Sequence, residues 1–218
     1  MKSLLVINTS PRTTRSYTRK LTGTFTDIWL KKYPGAFIVW RDLGLEHVPH
    51  VSENWIAGAF KPKELRSAEE HEALAKSDEY INELKKADII VMGVPMYNYS
   101  FPSSLKAYLD QVLRVHETWE LDRENIRDPY IGQLKNKKLY LLMSRGAQGY
   151  EKGGYNEHVN FQTTYLRATF KMMGIVDIHE ISINGELLGG SSLAESIENS
   201  QLEIKRIVED LNMVFENK

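Results

Sequence analysis

Val94-Pro95-Met96-Tyr97-Asn98-Tyr99-Ser100-Phe101-Pro102 stands directly behind the apolar run Ile89-Ile90-Val91-Met92 and directly ahead of a helical pattern. The run is short and β-branched, which reads as a strand buried on both faces. After the loop, Leu105, Tyr108, Leu109 and Val112 fall on one helical stripe. A strand, a loop and a helix in that order make half of a βαβ unit. Two prolines, two tyrosines, an asparagine and a phenylalanine fill the loop, where an ordinary surface connection would carry small polar residues. Flat apolar side chains there need a flat partner. In an open α/β sheet, ligands bind outside the carboxyl ends of the strands, where this loop falls.

Outward from this unit, five strand candidates alternate with helical segments. The strands are Ser3 to Asn8, Ala36 to Trp40, Asp88 to Val94, Lys138 to Ser144 and Val176 to Ile183. Helices are expected at Ser16 to Tyr33, Lys63 to Ala87, Ser103 to Arg114, His158 to Met173 and Leu193 to Phe215. The last carries a Ser192-x-x-Glu195 capping box and a buried stripe of Leu193, Ile197, Ile204, Val208 and Leu211. The pattern predicts an α/β fold: a flavodoxin-like, doubly wound five-stranded parallel sheet in the order 2-1-3-4-5 with helices on both faces. No repeat or low-complexity linker divides the chain, so residues 1–218 read as a single domain. Two irregular stretches, Asp42 to Pro62 and Val115 to Asn136, look added to this scaffold as lids or subunit contacts.

The 28 basic and 29 acidic residues nearly cancel, so the overall field gives no reason to expect nucleic acid or an anionic membrane as partner. Basic residues concentrate from Met1 to Arg41 and acidic ones from Asp177 onward, mostly as solvated helix faces; Arg12 and Arg15 stand apart because they lie in a loop. With no cysteine in the chain, disulfides, thiolate metal sites and a cysteine nucleophile are excluded. The apolar run Leu4 to Ile7 is too short for a signal-peptide core and no stretch approaches a membrane span. A cytoplasmic protein is the expectation.

Asn8-Thr9-Ser10-Pro11-Arg12-Thr13-Thr14-Arg15-Ser16-Tyr17-Thr18 follows strand one and opens helix one, and it reads as a phosphate cradle. Hydroxyls of Ser10, Ser16 and Thr18 can donate to phosphate oxygens, and the free amides and dipole of a helix start favour an anion. Ser16 can equally serve as the helix cap. No glycine-rich Walker or dinucleotide fingerprint is present, so a single phosphate, as in FMN, fits better than a triphosphate or a tightly held NAD. Behind strand four, Ser144-Arg145-Gly146-Ala147-Gln148-Gly149 is followed by Tyr150, Gly153, Gly154, Tyr155 and His158, and its glycines let backbone approach a ligand closely. The loops after strands one, three and four converge at one sheet edge and describe a phosphate pocket beside an aromatic, backbone-rich slot.

With these residues the chain resembles the FMN-dependent NADH:quinone oxidoreductases of the azoreductase family over nearly its whole length. The most specific part is Pro95-Met96-Tyr97-Asn98-Tyr99, continuing through Leu105-Lys106 and Asp110 to Val112. Ser10 with Ser16-Tyr17-Thr18 matches the family's phosphate loop, and Ser144-Arg145-Gly146 its second flavin loop. The resemblance implies that Met96, Tyr97, Asn98 and Tyr99, with Ser144, Arg145, Gly146 and Ala147, hold the isoalloxazine ring largely through backbone groups. It implies FMN as cofactor, NADH or NADPH as electron donor, and a quinone or azo compound as acceptor. It also implies a homodimer in which aromatics of the segment around Trp119 overhang the partner's flavin. Two departures stand out: Ala147 replaces a common second glycine, and Tyr99 replaces a common phenylalanine.

The remaining polar candidates are weaker. Tyr155 and His158 could stabilise charge on a reduced quinone, as a Tyr and a His do in a related class of flavodoxin-like quinone reductases, although their spacing differs and helix-start packing explains them more simply. His47-x-x-His50 has metal-like spacing but no third ligand, so no metal site is expected. The acidic run Glu69-Glu70 with Glu72 reads as a solvated helix face. An NADPH-dependent FMN reductase, a flavodoxin-type electron carrier and a receiver-type signalling domain are the rival readings. The receiver needs acidic residues after strand one, where this chain has Asn8-Thr9-Ser10.

Overall fold

The computed structural model describes residues 3–211. Five parallel strands, β1 (Ser3–Asn8), β2 (Phe37–Asp42), β3 (Ile89–Pro95), β6 (Lys138–Arg145) and β7 (Asp177–Asn184), form one sheet in the order β2-β1-β3-β6-β7. That is the predicted order once a separate antiparallel hairpin, β4 (Trp119–Leu121) with β5 (Tyr130–Gly132), is set aside. The helices are α1 (Tyr17–Lys32), α2 (Glu53–Ala59), α3 (Ala68–Lys86), α4 (Ser103–Val112), α5 (Phe161–Met172) and α6 (Gly190–Asp210).

Strand alternation splits the core in two. Leu4, Val6, Ile89, Val91, Tyr140 and Leu142 meet Leu21, Phe25 and Trp29 of α1 and Ile204 and Val208 of α6. Their neighbours Leu5, Ile7, Ile90, Met92, Leu139 and Leu141 meet Tyr80, Ile81 and Leu84 of α3, Leu105 and Tyr108 of α4, and Leu166 and Phe170 of α5. The period of two along each strand thus builds the two helical layers. Each fully buried Leu, Ile, Val or Phe contributes roughly 1.5–3 kcal/mol of transfer free energy. The predicted stripe of α6 faces this core: Leu193, Ile197 and Leu211 flank the buried Ile204 and Val208.

Three local expectations need correction. The segment from Lys63 to Ala87 is broken into a 3-10 turn at Lys63–Leu65 and α3, because Ser67 caps α3 and its backbone amide donates to Glu70 in a reciprocal capping box. Glu70 is therefore buried and bonded to Lys61, unlike its exposed neighbours Glu69 and Glu72. The Ser192-x-x-Glu195 box does not form: α6 starts earlier, with Gly189 at its N-cap, and the Ser192 hydroxyl accepts from Gln148 Nε2 instead. The predicted end of that helix at Phe215 lies outside the described residues.

Both irregular stretches are ordered onto the scaffold. In the first, Ser52 caps α2, and Trp55 Nε1 donates to Gln111 Oε1 on α4 at 2.8 Å while Gln111 Nε2 reaches the Pro49 carbonyl. In the second, the hairpin is rooted where α4 and α5 end, through Thr118 Oγ1 to the Val112 carbonyl and the Leu134 amide to the Met173 carbonyl. Helices in this fold run against the strands, so the hairpin's base stands at the amino edge of the sheet. Trp119, expected in a loop, is in β4 and meets Tyr130 edge-on at 5.4 Å. Among the described residues no helix is long and apolar enough to cross a membrane.

Candidate functional site

At the carboxyl edge, the β1–α1, β3–α4 and β6–α5 loops and the β7–α6 turn enclose a pocket of about 180 Å³. Ser10, Ser16 and Tyr17 of the β1–α1 loop and helix start line it together with Met96, Tyr97, Ser144 and Gly146, and Arg12, Arg15, Glu186 and Leu187 complete the wall. A larger groove of about 920 Å³ runs along β7 between α5 and α6, but no residue of the phosphate loop borders it. The chemistry-bearing loops meet in the smaller space.

The hydroxyl end is built by backbone constraint. Ser16 Oγ accepts from the Arg19 amide at 3.3 Å and is 3.1 Å from Thr18 Oγ1, so Ser16 does cap α1 while also facing the pocket. Thr18 is fully buried behind it. Arg19 holds the loop from outside: its guanidinium donates to the Ser10 carbonyl at 2.7 Å, the Arg12 carbonyl at 2.8 Å and both carboxylate oxygens of Asp42. Tying carbonyls back in this way leaves the cradle with donors. Gly44 permits the close approach, since a Cβ there would lie 2.1 Å from the Ser10 carbonyl oxygen.

The aromatic end turns on Asn98 and Tyr99. The Tyr97 amide donates to the Ser100 carbonyl and the Ser100 amide to that of Tyr97, with both central residues at positive φ, 49° and 66°. This is the two-residue turn that favours Asn and Gly. Asparagine tolerates it, whereas tyrosine there is strained by roughly 1–2 kcal/mol. The Phe161 amide, opening α5, donates to the Tyr99 carbonyl at 3.1 Å and pins the turn.

Behind β6, side chains alternate. Ser144 and Gly146 face the pocket, while the Arg145 side chain is buried on the opposite side. Its Nε donates to Gln162 Oε1 at 3.0 Å, Gln162 Nε2 donates to the Val94 carbonyl, and the guanidinium lies 5.6 Å from the Tyr150 ring. Burial holds the Arg145 pKa below the usual guanidinium range. Arg145 therefore stays out of the pocket, and its carbonyl accepts from the Glu186 amide. The Ala147 carbonyl is engaged by the Gly185 amide.

The structure thus gathers Ser10, Ser16, Tyr17, Met96, Tyr97, Ser144 and Gly146 around one space, sets Thr18 behind it and places Asn98 and Tyr99 at a turn beside it. Three predicted residues stand elsewhere. Tyr155 is exposed and its ring lies over Gly149, His158 is exposed in the turn before α5, and Trp119 is on the hairpin rooted at the far edge. Sequence reasoning missed Arg19, Asp42, Glu186 and Leu187, which only the fold brings to these loops. Among the described residues no group of three His, Asp or Glu side chains is placed to hold a metal.

The donors suit a flavin mononucleotide. Hydroxyls of Ser10 and Ser16 with the start of α1 fit a phosphate, and the amide of Gly146, which lines the pocket and has no acceptor among the described residues, fits the polar edge of a ring; the next two amides, of Ala147 and Gln148, likewise have no acceptor among the described residues.

Comparison with known proteins identifies the family. Residues 2–208 match the family model described as a flavodoxin-like fold. The chain is 38% identical over 205 residues to an FMN-dependent NADH:quinone oxidoreductase of Nostoc punctiforme, covering 94% of this chain and 97% of that protein. It is 34% identical over 202 residues to FMN-dependent NAD(P)H:quinone oxidoreductase 1 of Pseudomonas aeruginosa, covering 92% and 95%. An azoreductase structure from Bacillus anthracis superposes with a TM-score of 0.87 at 25% identity, covering 97% of this chain and all of that one. The chain belongs to the flavodoxin-like family of FMN-dependent NADH:quinone oxidoreductases, and it is an oxidoreductase.

Proposed function

We propose that residues 1–218 form one flavin-binding domain of a cytoplasmic homodimer, which carries FMN and passes electrons from NADH or NADPH to quinones or azo compounds. The observation that carries this reading is the meeting, in one pocket at the carboxyl edge, of a hydroxyl-lined helix start with Ser144 and Gly146, whose amide has no acceptor among the described residues. The chemistry that a bound FMN supplies is two-electron transfer between donor and acceptor.

The protein's own part is positional. Ser10, Ser16 and the first amides of α1 would hold the phosphate, helped by the helix dipole. Met96, Tyr97, Asn98 and Tyr99 would shape the slot on one side of the ring, with the Asn98 side chain touching it. Ser144 and the amides of Gly146 and Ala147 would hold its polar edge. Arg12 and Arg15 at the wall favour an anionic ligand. No nucleophile or metal is required.

Trp119 fits this reading as a group for the other subunit, since its hairpin is rooted at the edge opposite its own pocket. Donor and acceptor would use one open ring face in turn, which calls for ping-pong kinetics. Initial rates against NADH at several fixed quinone concentrations should give parallel double-reciprocal lines; intersecting lines would require a second acceptor site.

A further inference from the structure

Three consecutive amides of the β7–α6 turn donate to three consecutive carbonyls of the loop behind β6. The Gly185 amide reaches Ala147 at 3.2 Å, the Glu186 amide reaches Arg145 at 3.2 Å, and the Leu187 amide reaches Gly146 at 2.9 Å. A peptide is planar and trans, so the N–H of each following residue points opposite to the carbonyl before it. With the carbonyls of residues 145 to 147 taken by the β7–α6 turn, the amides of Gly146, Ala147 and Gln148 point away from that turn, and Gly146 among them lines the pocket beside Met96 and Tyr97 of the β3–α4 loop.

The turn is fixed at both ends. Gly185 has φ 85°, a conformation that favours glycine. The Leu187 side chain, 86% exposed, lies on Gly146 so closely that a Cβ at Gly146 would be 2.7 Å from its Cδ1. Glu186 Oε1 accepts from Arg12 Nη1 at 2.8 Å, joining the turn to the loop at the opposite end of the pocket. One short segment therefore touches both loops on which the FMN reading rests.

We propose that Gly185, Glu186 and Leu187 are positioning residues of the flavin site. Their amides aim the row from Gly146 to Gln148 at the ring, and the Glu186 carboxylate pins the same turn to the phosphate loop. Donors aimed at the ring favour its electron-rich, reduced form, so this turn raises the midpoint potential of the bound cofactor. The proposal rests on FMN binding.

The test compares FMN-loaded proteins by redox titration against a reference dye and by the rate of FMN release on dilution. Leu187→Pro removes one amide donor and should lower the ring's preference for the reduced form about tenfold, a midpoint about 30 mV lower for a two-electron couple. Leu187→Ala keeps the amide while removing the side chain that lies on Gly146, and should lower the potential less than Leu187→Pro does. If Leu187→Pro does not fold, Gly185→Ala, which strains the same turn, should give the same downward shift. Glu186→Gln should release FMN about tenfold faster. Unchanged potentials in the FMN-loaded Leu187→Pro or Gly185→Ala protein overturn the aiming role. Slower or unchanged release from Glu186→Gln overturns the pin, because freed Arg12 would then serve the phosphate better alone. A wild-type protein that holds no FMN contradicts the cofactor reading itself, an outcome separate from either of these.

Discussion

Arg19 grips Asp42 through two bonds, Nη1 to Oδ2 at 2.6 Å and Nη2 to Oδ1 at 2.7 Å, while the same guanidinium holds the carbonyls of Ser10 and Arg12. A lysine cannot reproduce a planar fork with four acceptors. Arg19→Lys should therefore loosen the phosphate loop and weaken FMN binding about tenfold, which is about 1.4 kcal/mol. Fluorescence titration of FMN checks this, and an unchanged affinity would mean the loop holds its shape without Arg19.

Tyr99 stands at φ 66° and is 53% exposed, so its left-handed backbone is compensated by little packing. Glycine adopts that conformation without the Cβ clash. Tyr99→Gly is predicted to raise stability to urea by about 1 kcal/mol, while Asn98→Val, which puts a β-branched residue in the same turn, lowers it by about as much. Destabilisation by the glycine would show that the tyrosine ring holds the loop.

The strands and their order were legible because Leu4 to Ile7, Ile89 to Met92 and Leu139 to Leu142 alternate between two helical layers, and each run is bounded by turn residues. The same alternation foretells that Arg145 points away from the side taken by Ser144 and Gly146, a consequence the loop motif by itself conceals. The Ser67-x-x-Glu70 box was written in the sequence as plainly as Ser192-x-x-Glu195. Only the first forms, because Ser192 is drawn to Gln148 after α6 has already begun at Gly190. The link between Arg12 and Glu186 joins residues 174 positions apart, and no local pattern encodes it.

Acid should weaken the attachment of α3 and the segment before it. The Glu70 carboxylate is held below the usual carboxylate range, first by Lys61 and then by the Ser67 amide. A depressed folded-state pKa gives stability that is present above the unfolded value, roughly pH 4.3 for glutamate, and lost as pH falls through the folded value. Thermal midpoints should hold steady at neutral pH and decline below that range, with a shallower decline in Glu70→Gln. An identical acid slope in the variant would assign the loss to other carboxylates.

The buried indole nitrogen of Trp119 has no acceptor among the described residues, and its hairpin is rooted at the edge opposite the pocket. Sedimentation at micromolar concentration should show a dimer, and Trp119→Ala should alter kinetics with bulky acceptors more than with small ones. A monomer with full NADH-dependent turnover would exclude a shared site. A dimer whose Trp119→Ala form has unchanged kinetics would confine this residue to packing on Tyr130.

The visible spectrum of the purified protein, taken without oxygen before NADH, after NADH and after a quinone, tests whether the pocket holds a flavin that carries electrons from NADH to a quinone. A yellow protein whose flavin band bleaches on NADH and returns with the quinone is the predicted result, with Ser10→Ala and Ser16→Ala together weakening FMN retention by on the order of 1–3 kcal/mol. A colourless protein that takes up no added FMN, or a flavin band that NADH and NADPH both leave unchanged, would contradict it.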